Sequence, residues 1–312
     1  MNHILKSQQF SRAQLEKLFA ETDDLRRIYE NPNGRRDLQE SLRGRLMFAV
    51  FYEPSTRTRV SFCSAAAHQG MMSIWTENAG EFSSAIKGET LEDTTHTLCQ
   101  YDPDVIVIRH KEVGAAERAA AIVDKFGYKT TIMNAGDGTG QHPTQALLDL
   151  YTIKRELERL DNMTVLVGGD LINGRTVNSL VYLQSKFNGI RFIFLSPANL
   201  RIGEGIKDHL REHQITFEET EDMRSALPKA DIIYWTRIQK ERGGINKSLD
   251  LTIGVEEMKL VKPEARLLHP LPRVGEIDPA IDGDPRSAYF RQAKNGMFIR
   301  MKLLRDACAA TR

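Results

Sequence analysis

Cysteine is scarce in this chain of 312 residues, and Cys63, Cys99 and Cys308 stand far apart with no C-x-x-C spacing. That pattern argues against a disulfide framework and against a thiolate zinc site. Long apolar runs are missing too, none approaching the roughly 20 residues that a membrane-spanning helix needs. The opening MNHILKSQQFSRAQLEKLF is polar and amphipathic, unlike a signal peptide. Charge of one sign is not in excess: 43 Lys plus Arg face 42 Asp plus Glu, so a net charge of +1 supplies no overall field to gather nucleic acid or an anionic membrane. A cytoplasmic protein that engages neither is the expectation. The phosphate-loop pattern G-x-x-x-x-G-K-[ST] does not occur. Its nearest relative in appearance, Gly168-Gly169-Asp170-Leu171-Ile172-Asn173-Gly174, fails the G-x-G-x-x-G spacing, and the next strand pattern, RFIFLSP, ends without an acid to hold a ribose. His209 and His213 lie one helical turn apart with no third ligand nearby, which reads as a solvated helix face. Neither metal nor cofactor is expected.

What is present is ordinary globular composition, 41% hydrophobic and 27% charged, in a chain longer than one core usually organises. Two domains are therefore expected. Apolar, β-rich runs at 46–52, 104–110, 129–135, 164–170, 191–196, 231–236 and 265–271 alternate with helical periodicity at 112–126, 143–160, 175–187 and 202–213. Such alternation predicts an α/β protein of βαβ units around buried parallel sheets. The unbroken helical pattern 143–160 is the candidate connector. It sets a first domain of 1–142 and a second of 143–290, with a last helix near Gln292 to Ala309, inside 291–312, packing back on the first.

Ligands of open α/β sheets collect at the carboxyl ends of strands. The segment Glu53-Pro54-Ser55-Thr56-Arg57-Thr58-Arg59 follows one strand and opens a helix, crowding three hydroxyls and two guanidinium groups at a helix N-terminus. A cap needs one hydroxyl, so this is a candidate phosphate site. A glycine-rich loop, 134–145, carries His142 and Gln145 to the start of the next helix. Arg109-His110 and Thr236 to Arg242 end two further strands, and Arg175 begins the helix after the 168–174 turn.

In this order these pieces resemble the aspartate and ornithine carbamoyltransferase family over nearly the whole chain. The signature S-T-R-T stands at Ser55 to Thr58. It is followed by Ser83-Ser84, Lys87-Gly88-Glu89-Thr90, Arg109, His142-Pro143-Thr144-Gln145, Asp170 with Gly174-Arg175-Thr176, and His269-Pro270-Leu271-Pro272-Arg273. His269-Pro270-Leu271-Pro272 together with Arg237-x-Gln239-Lys240-Glu241-Arg242 looks like the aspartate branch, and planar arginine forks suit a dicarboxylate acceptor.

The resemblance implies two doubly wound parallel-sheet domains joined by helices, with the active site in the cleft between them. It implies carbamoyl transfer from carbamoyl phosphate to L-aspartate without a cofactor. Ser55, Thr56, Arg57 and Thr58 would hold the phosphate, and Thr58, Arg109 and His142 would face the carbonyl oxygen. Gln145, Pro270 and Leu271 would orient the carbamoyl amide and the attacking amine. Lys87, Arg175, Arg237, Gln239 and Leu271 would bind aspartate, with Lys87 joining Arg57, Thr58, Arg109 and His142 in catalysis. Ser83 and Lys87 would reach a neighbouring subunit's site within a homotrimer, and a regulatory chain could join it. Two departures stand out. Cys63 occupies the place of a carboxylate expected to brace the arginine of the phosphate loop, and 243–261 is short and lacks the family's tyrosine. Transfer to another amine such as ornithine, and a non-catalytic binding or scaffold role, are the rival readings.

Overall fold

The computed structural model describes residues 3–77, 88–238 and 251–310. Contacts divide the chain into two compact units, 1–147 with 296–312, and 148–295. The chain passes between them within two helices, Pro143–Leu157 and Tyr289–Ala310. A boundary inside a helix leaves no mark in composition.

The first unit holds four parallel strands, β1 (Leu46–Phe51), β2 (Met72–Thr76), β3 (Val105–His110) and β4 (Thr131–Asp137), in the order β2-β1-β3-β4. From β1 the chain winds first to one side and then, through β3, to the other, so the order reverses between β1 and β3. Val50, Ile106, Ile108 and Ile132 meet Ala116, Ala119 and Val123 of the helix Ala115–Phe126 in one buried cluster. The small alanines let that helix approach the sheet closely. Residues 296–310 belong to this unit, where Arg300 donates to the Ser61 hydroxyl at 2.8 Å and the Met301 carbonyl accepts from Gln69 at 3.1 Å.

The second unit repeats the plan with five parallel strands: β5 (Met163–Gly168), β6 (Ile190–Leu195), β7 (Thr216–Thr220), β8 (Ile232–Trp235) and β9 (Arg266–Leu268), ordered β7-β6-β5-β8-β9. Here the order reverses between β5 and β8. Glycine is required where those strands end. A Cβ at Gly168 would lie 2.1 Å from the Trp235 ring, and Gly169, at φ +111°, would put one 2.1 Å from the Thr236 carbonyl. Edge strands β2 and β7 had no counterpart among the expected strands. His209 also departs from expectation: while His213 is exposed, His209 is half-buried against the Tyr182 ring at 4.7 Å, and burial pushes its pKa down.

Candidate active site

Both reversal points carry the expected side chains. At the first, the loop after β1 leads into the helix Thr56–Ala67, with Ser55 at the N-cap in an extended conformation and its hydroxyl making no capping bond. The first-turn N–H groups are thus left without a side-chain cap, as an anion site needs. Arg57 is exposed on that first turn, whereas Thr58 turns inward, 7% exposed, with its Oγ1 3.5 Å from Nε2 of His142, itself 3% exposed. Thr144 Oγ1 lies 3.5 Å from the other ring nitrogen, fixing the imidazole from behind, and Gln145 is buried one residue further along. Arg109, in register with Phe51 on β1, donates to the Ala135 carbonyl at 3.2 Å and stands 3.7 Å from the Glu53 carboxylate.

The loop that presents His142 is held by bonds within itself and by ties to other segments, with Ser7 N–H donating to Gln141 Oε1 at 2.8 Å and Asn134 donating to the Leu5 carbonyl at 2.9 Å. Asn134 Oδ1 accepts from Gly136 N–H at 2.8 Å, and the Asp137 carboxylate accepts from Gln141 N–H at 2.7 Å and Gly114 N–H at 2.8 Å. His110 is no cation here. Burial pushes its pKa down, and its Nδ1 accepts from Glu112 N–H at 3.0 Å.

The lost brace at position 63 is replaced. Arg59 donates to Glu77 at 2.6 Å and lies over the Trp75 ring at 4.0 Å, so a carboxylate from the end of β2 pairs with an arginine of the first turn after Ser55. Burial pushes the Cys63 thiol up, keeping it a neutral small side chain.

At the second reversal point, buried Asp170 accepts from the backbone N–H of Asn173 at 3.1 Å and from its amide at 3.1 and 3.2 Å. That closed turn ends at Gly174 and delivers Arg175 as the first residue of the helix Arg175–Gln184. Arg237 lies two residues beyond β8, which is the neighbour of β5. After β9, His269 is 1% exposed. Its Nδ1 accepts from Leu271 N–H at 2.8 Å, and its Nε2 lies 2.9 Å from Glu276. Leu271 has φ +56°, a left-handed conformation uncommon for a branched apolar residue. Ser83, Lys87 and Gln239 lie outside the described residues, as does Lys240 to Arg242. Among the described residues no group of three or more His, Cys, Asp or Glu could hold a metal ion. Glu77, Trp75, Asp149 and Tyr234 were not expected at either half-site, since no local pattern marks a pairing made only by folding.

With this geometry in view, residues 2–155 match the family described as aspartate/ornithine carbamoyltransferase, carbamoyl-P binding domain, and 161–306 match its Asp/Orn binding domain. Aspartate carbamoyltransferase 1, chloroplastic, of Pisum sativum is 46% identical over 98% of this chain and 78% of its own length. The aspartate carbamoyltransferase catalytic subunit of Aliivibrio fischeri is 40% identical, covering 97% of this chain and 95% of its own. Aspartate transcarbamoylase from Trypanosoma cruzi, solved with carbamoyl phosphate and aspartate, is 36% identical at a TM-score of 0.88, over 97% of this chain and 96% of that one. The chain belongs to the aspartate/ornithine carbamoyltransferase family.

Proposed function

We propose that each unit supplies half of an aspartate carbamoyltransferase reaction, the first holding carbamoyl phosphate and the second L-aspartate. The protein is an enzyme, a transferase that moves the carbamoyl group of carbamoyl phosphate to the amino group of L-aspartate, giving N-carbamoyl-L-aspartate and phosphate for pyrimidine synthesis. The observation that carries the division of labour is the chemistry at the two reversal points: an uncapped, hydroxyl-rich helix start beside Arg109 at one, and two arginines, Arg175 and Arg237, at the other.

In this reading Ser55, Thr56, Arg57 and Thr58 take the phosphate oxygens. Thr58, Arg109 and His142 donate to the carbonyl oxygen as the aspartate nitrogen attacks and charge builds there. Prearranged donors of this kind contribute on the order of 3 kcal/mol each. Gln145 and the carbonyls of Pro270 and Leu271 orient the transferred NH2 group. As the C–N bond forms, the bond from the carbonyl carbon to the bridging phosphate oxygen breaks, that oxygen leaves with the phosphate, and the departing phosphate takes the amine proton, so no separate base is required. Arg175, Arg237 and Gln239 bind the two carboxylates of aspartate.

A homotrimer with shared sites completes the proposal, with Ser83 and Lys87 supplied by a neighbour. Its support is an exposed apolar face: Val60, Met72, Ile74 and Trp75 are each more than half exposed, on the edge strand β2 and the helix Thr56–Ala67 beside it. Mixing the separately inactive Lys87→Ala and His142→Ala chains should then restore partial activity. Mixing Arg57→Ala with His142→Ala should restore none. A cytoplasmic location belongs to the same reading, supported by three cysteines that form no disulfide; fractionation of source cells tests it against the chloroplast named for the plant relatives. The test of the activity itself is a screen of amine acceptors with carbamoyl phosphate. Aspartate should be carbamoylated fastest, and a preference for ornithine would overturn the assignment.

A further inference from the structure

Beneath the second half-site runs a chain of buried hydrogen bonds to which the reaction assigns no role. The Tyr234 hydroxyl donates to Asp149 Oδ2 at 2.8 Å, and Gln292 Nε2 donates to Asp149 Oδ1 at 2.6 Å. Gln292 Oε1 in turn accepts from the backbone N–H of His269 at 2.9 Å, and His269 accepts from Leu271 N–H. Tyr234, Asp149, Gln292 and His269 are at most 1% exposed. At its other end the Tyr234 oxygen faces the side chain of Thr176, one residue after Arg175. Burial, reinforced by the Asp149 carboxylate, pushes the Tyr234 phenol well above its usual range, so it stays a donor at all working pH values.

The polarity of this chain has one source. Both Asp149 oxygens accept, one from the Tyr234 hydroxyl and one from Gln292, so Gln292 presents its NH2 inward and its oxygen to His269. We propose that Asp149 is a positioning residue for the acceptor half-site. It ties the start of the helix bearing Arg175 to the backbone of His269 and Leu271, so that the arginine and the Pro270–Leu271 carbonyls are held by one buried carboxylate. The inference rests on the roles proposed above for Arg175, Pro270 and Leu271. A fully satisfied buried network specifies one arrangement, whereas one donor facing another costs the desolvation of both.

Three variants test the direction of the chain. Asp149→Asn places an amide NH2 against Gln292. If Gln292 flips to accept it, a second donor clash appears at His269 N–H. The KM for aspartate should rise about tenfold, the equivalent of one misdirected buried bond, with the KM for carbamoyl phosphate unchanged. Gln292→Glu alone sets two carboxylates in contact and should be at least as damaging. In the double exchange, Asp149→Asn with Gln292→Glu, the new amide at position 149 donates to the new carboxylate at position 292, whose other oxygen still accepts from His269 N–H. It should bring the KM for aspartate back to within about twofold, which a purely space-filling role would not predict. Should Asp149→Asn fail to fold, Tyr234→Phe removes a single bond and should still raise that KM several-fold.

A folded Asp149→Asn enzyme with wild-type aspartate kinetics would overturn the proposal, as would a double exchange that recovers thermal stability but not the KM. An unchanged aspartate KM in Arg175→Ala would instead overturn the assignment of Arg175, and this inference with it. A loss in Arg175→Ala beside wild-type kinetics in Asp149→Asn would sink the positioning role alone.

Discussion

The two half-sites are held in different ways. Around His142 local bonds join Asn134 to Gly136, Asp137 to Gln141 and His110 to Glu112, and two of the loop's ties to the N-terminal segment run to backbone, from Ser7 N–H to Gln141 at 2.8 Å and from Asn134 to the Leu5 carbonyl at 2.9 Å. Around His269 the support crosses long stretches of chain, since Asp149 bonds Tyr234 and Gln292 at separations of 85 and 143 residues. A bond to a backbone partner survives a change of that partner's side chain. A buried network transmits a change at one member to the others. The first half-site is therefore expected to be sensitive chiefly to its own ligand-facing groups, and the second to residues that touch no ligand.

The largest expected effect is on the ligand-facing side. Arg57→Ala should cut turnover on the order of a hundredfold, because it removes a charge-assisted contact to phosphate. Steady-state rates at saturating aspartate check this, and near-normal turnover would end the assignment of the phosphate loop.

A smaller effect probes the Arg59–Glu77 pair of the first unit. Glu77→Ala should release Arg59 and lower kcat several-fold, the pair being only part-buried. Cys63 lies four residues after Arg59 on the helix Thr56–Ala67, a spacing at which side chains meet. Cys63→Glu should therefore rescue Glu77→Ala; a double variant no better than the single one would show that Glu77 acts otherwise.

The smallest effect concerns acid. Burial alone would raise the pKa of Glu156, but hydrogen bonds and charge from Arg291 and Arg266 outweigh it and hold the carboxyl below its ordinary 4.5. A depressed carboxyl contributes stability that is present above the unfolded value and lost as pH falls through the folded one. The melting midpoint should thus begin to drop below about pH 4.5. Glu156→Gln should melt on the order of 2 °C lower at neutral pH and converge on the parent in acid. Parallel melting curves at every pH would contradict this.

The pattern of what could be read in advance follows the same physics. Central strands such as VIVI of β3 and TVLV of β5 are buried on both faces and announce themselves as apolar runs. The edge strand MSIWT is largely exposed and TFEET is mostly half-buried, so neither sequence carries such a run, and they went unread. Ser55 to Thr58, Arg109, His142 and Arg175 could be proposed from the sequence because they follow strand patterns, at whose carboxyl ends the ligands of such sheets collect. Asp149, Tyr234 and Gln292 look like ordinary members of a helix, a strand and another helix; only folding brings them together. Position 63 was misleading for a related reason. A missing carboxylate was visible in the sequence, but its replacement by Glu77 required the end of β2 to lie beside Arg59.

The separation of labour between the units is tested most directly by measuring both Michaelis constants in two variants. Arg57→Ala should raise the KM for carbamoyl phosphate at least tenfold while changing that for aspartate much less, and Arg175→Ala should do the reverse. If both variants raised the same constant, or each raised both equally, the assignment of one substrate to each unit would be contradicted.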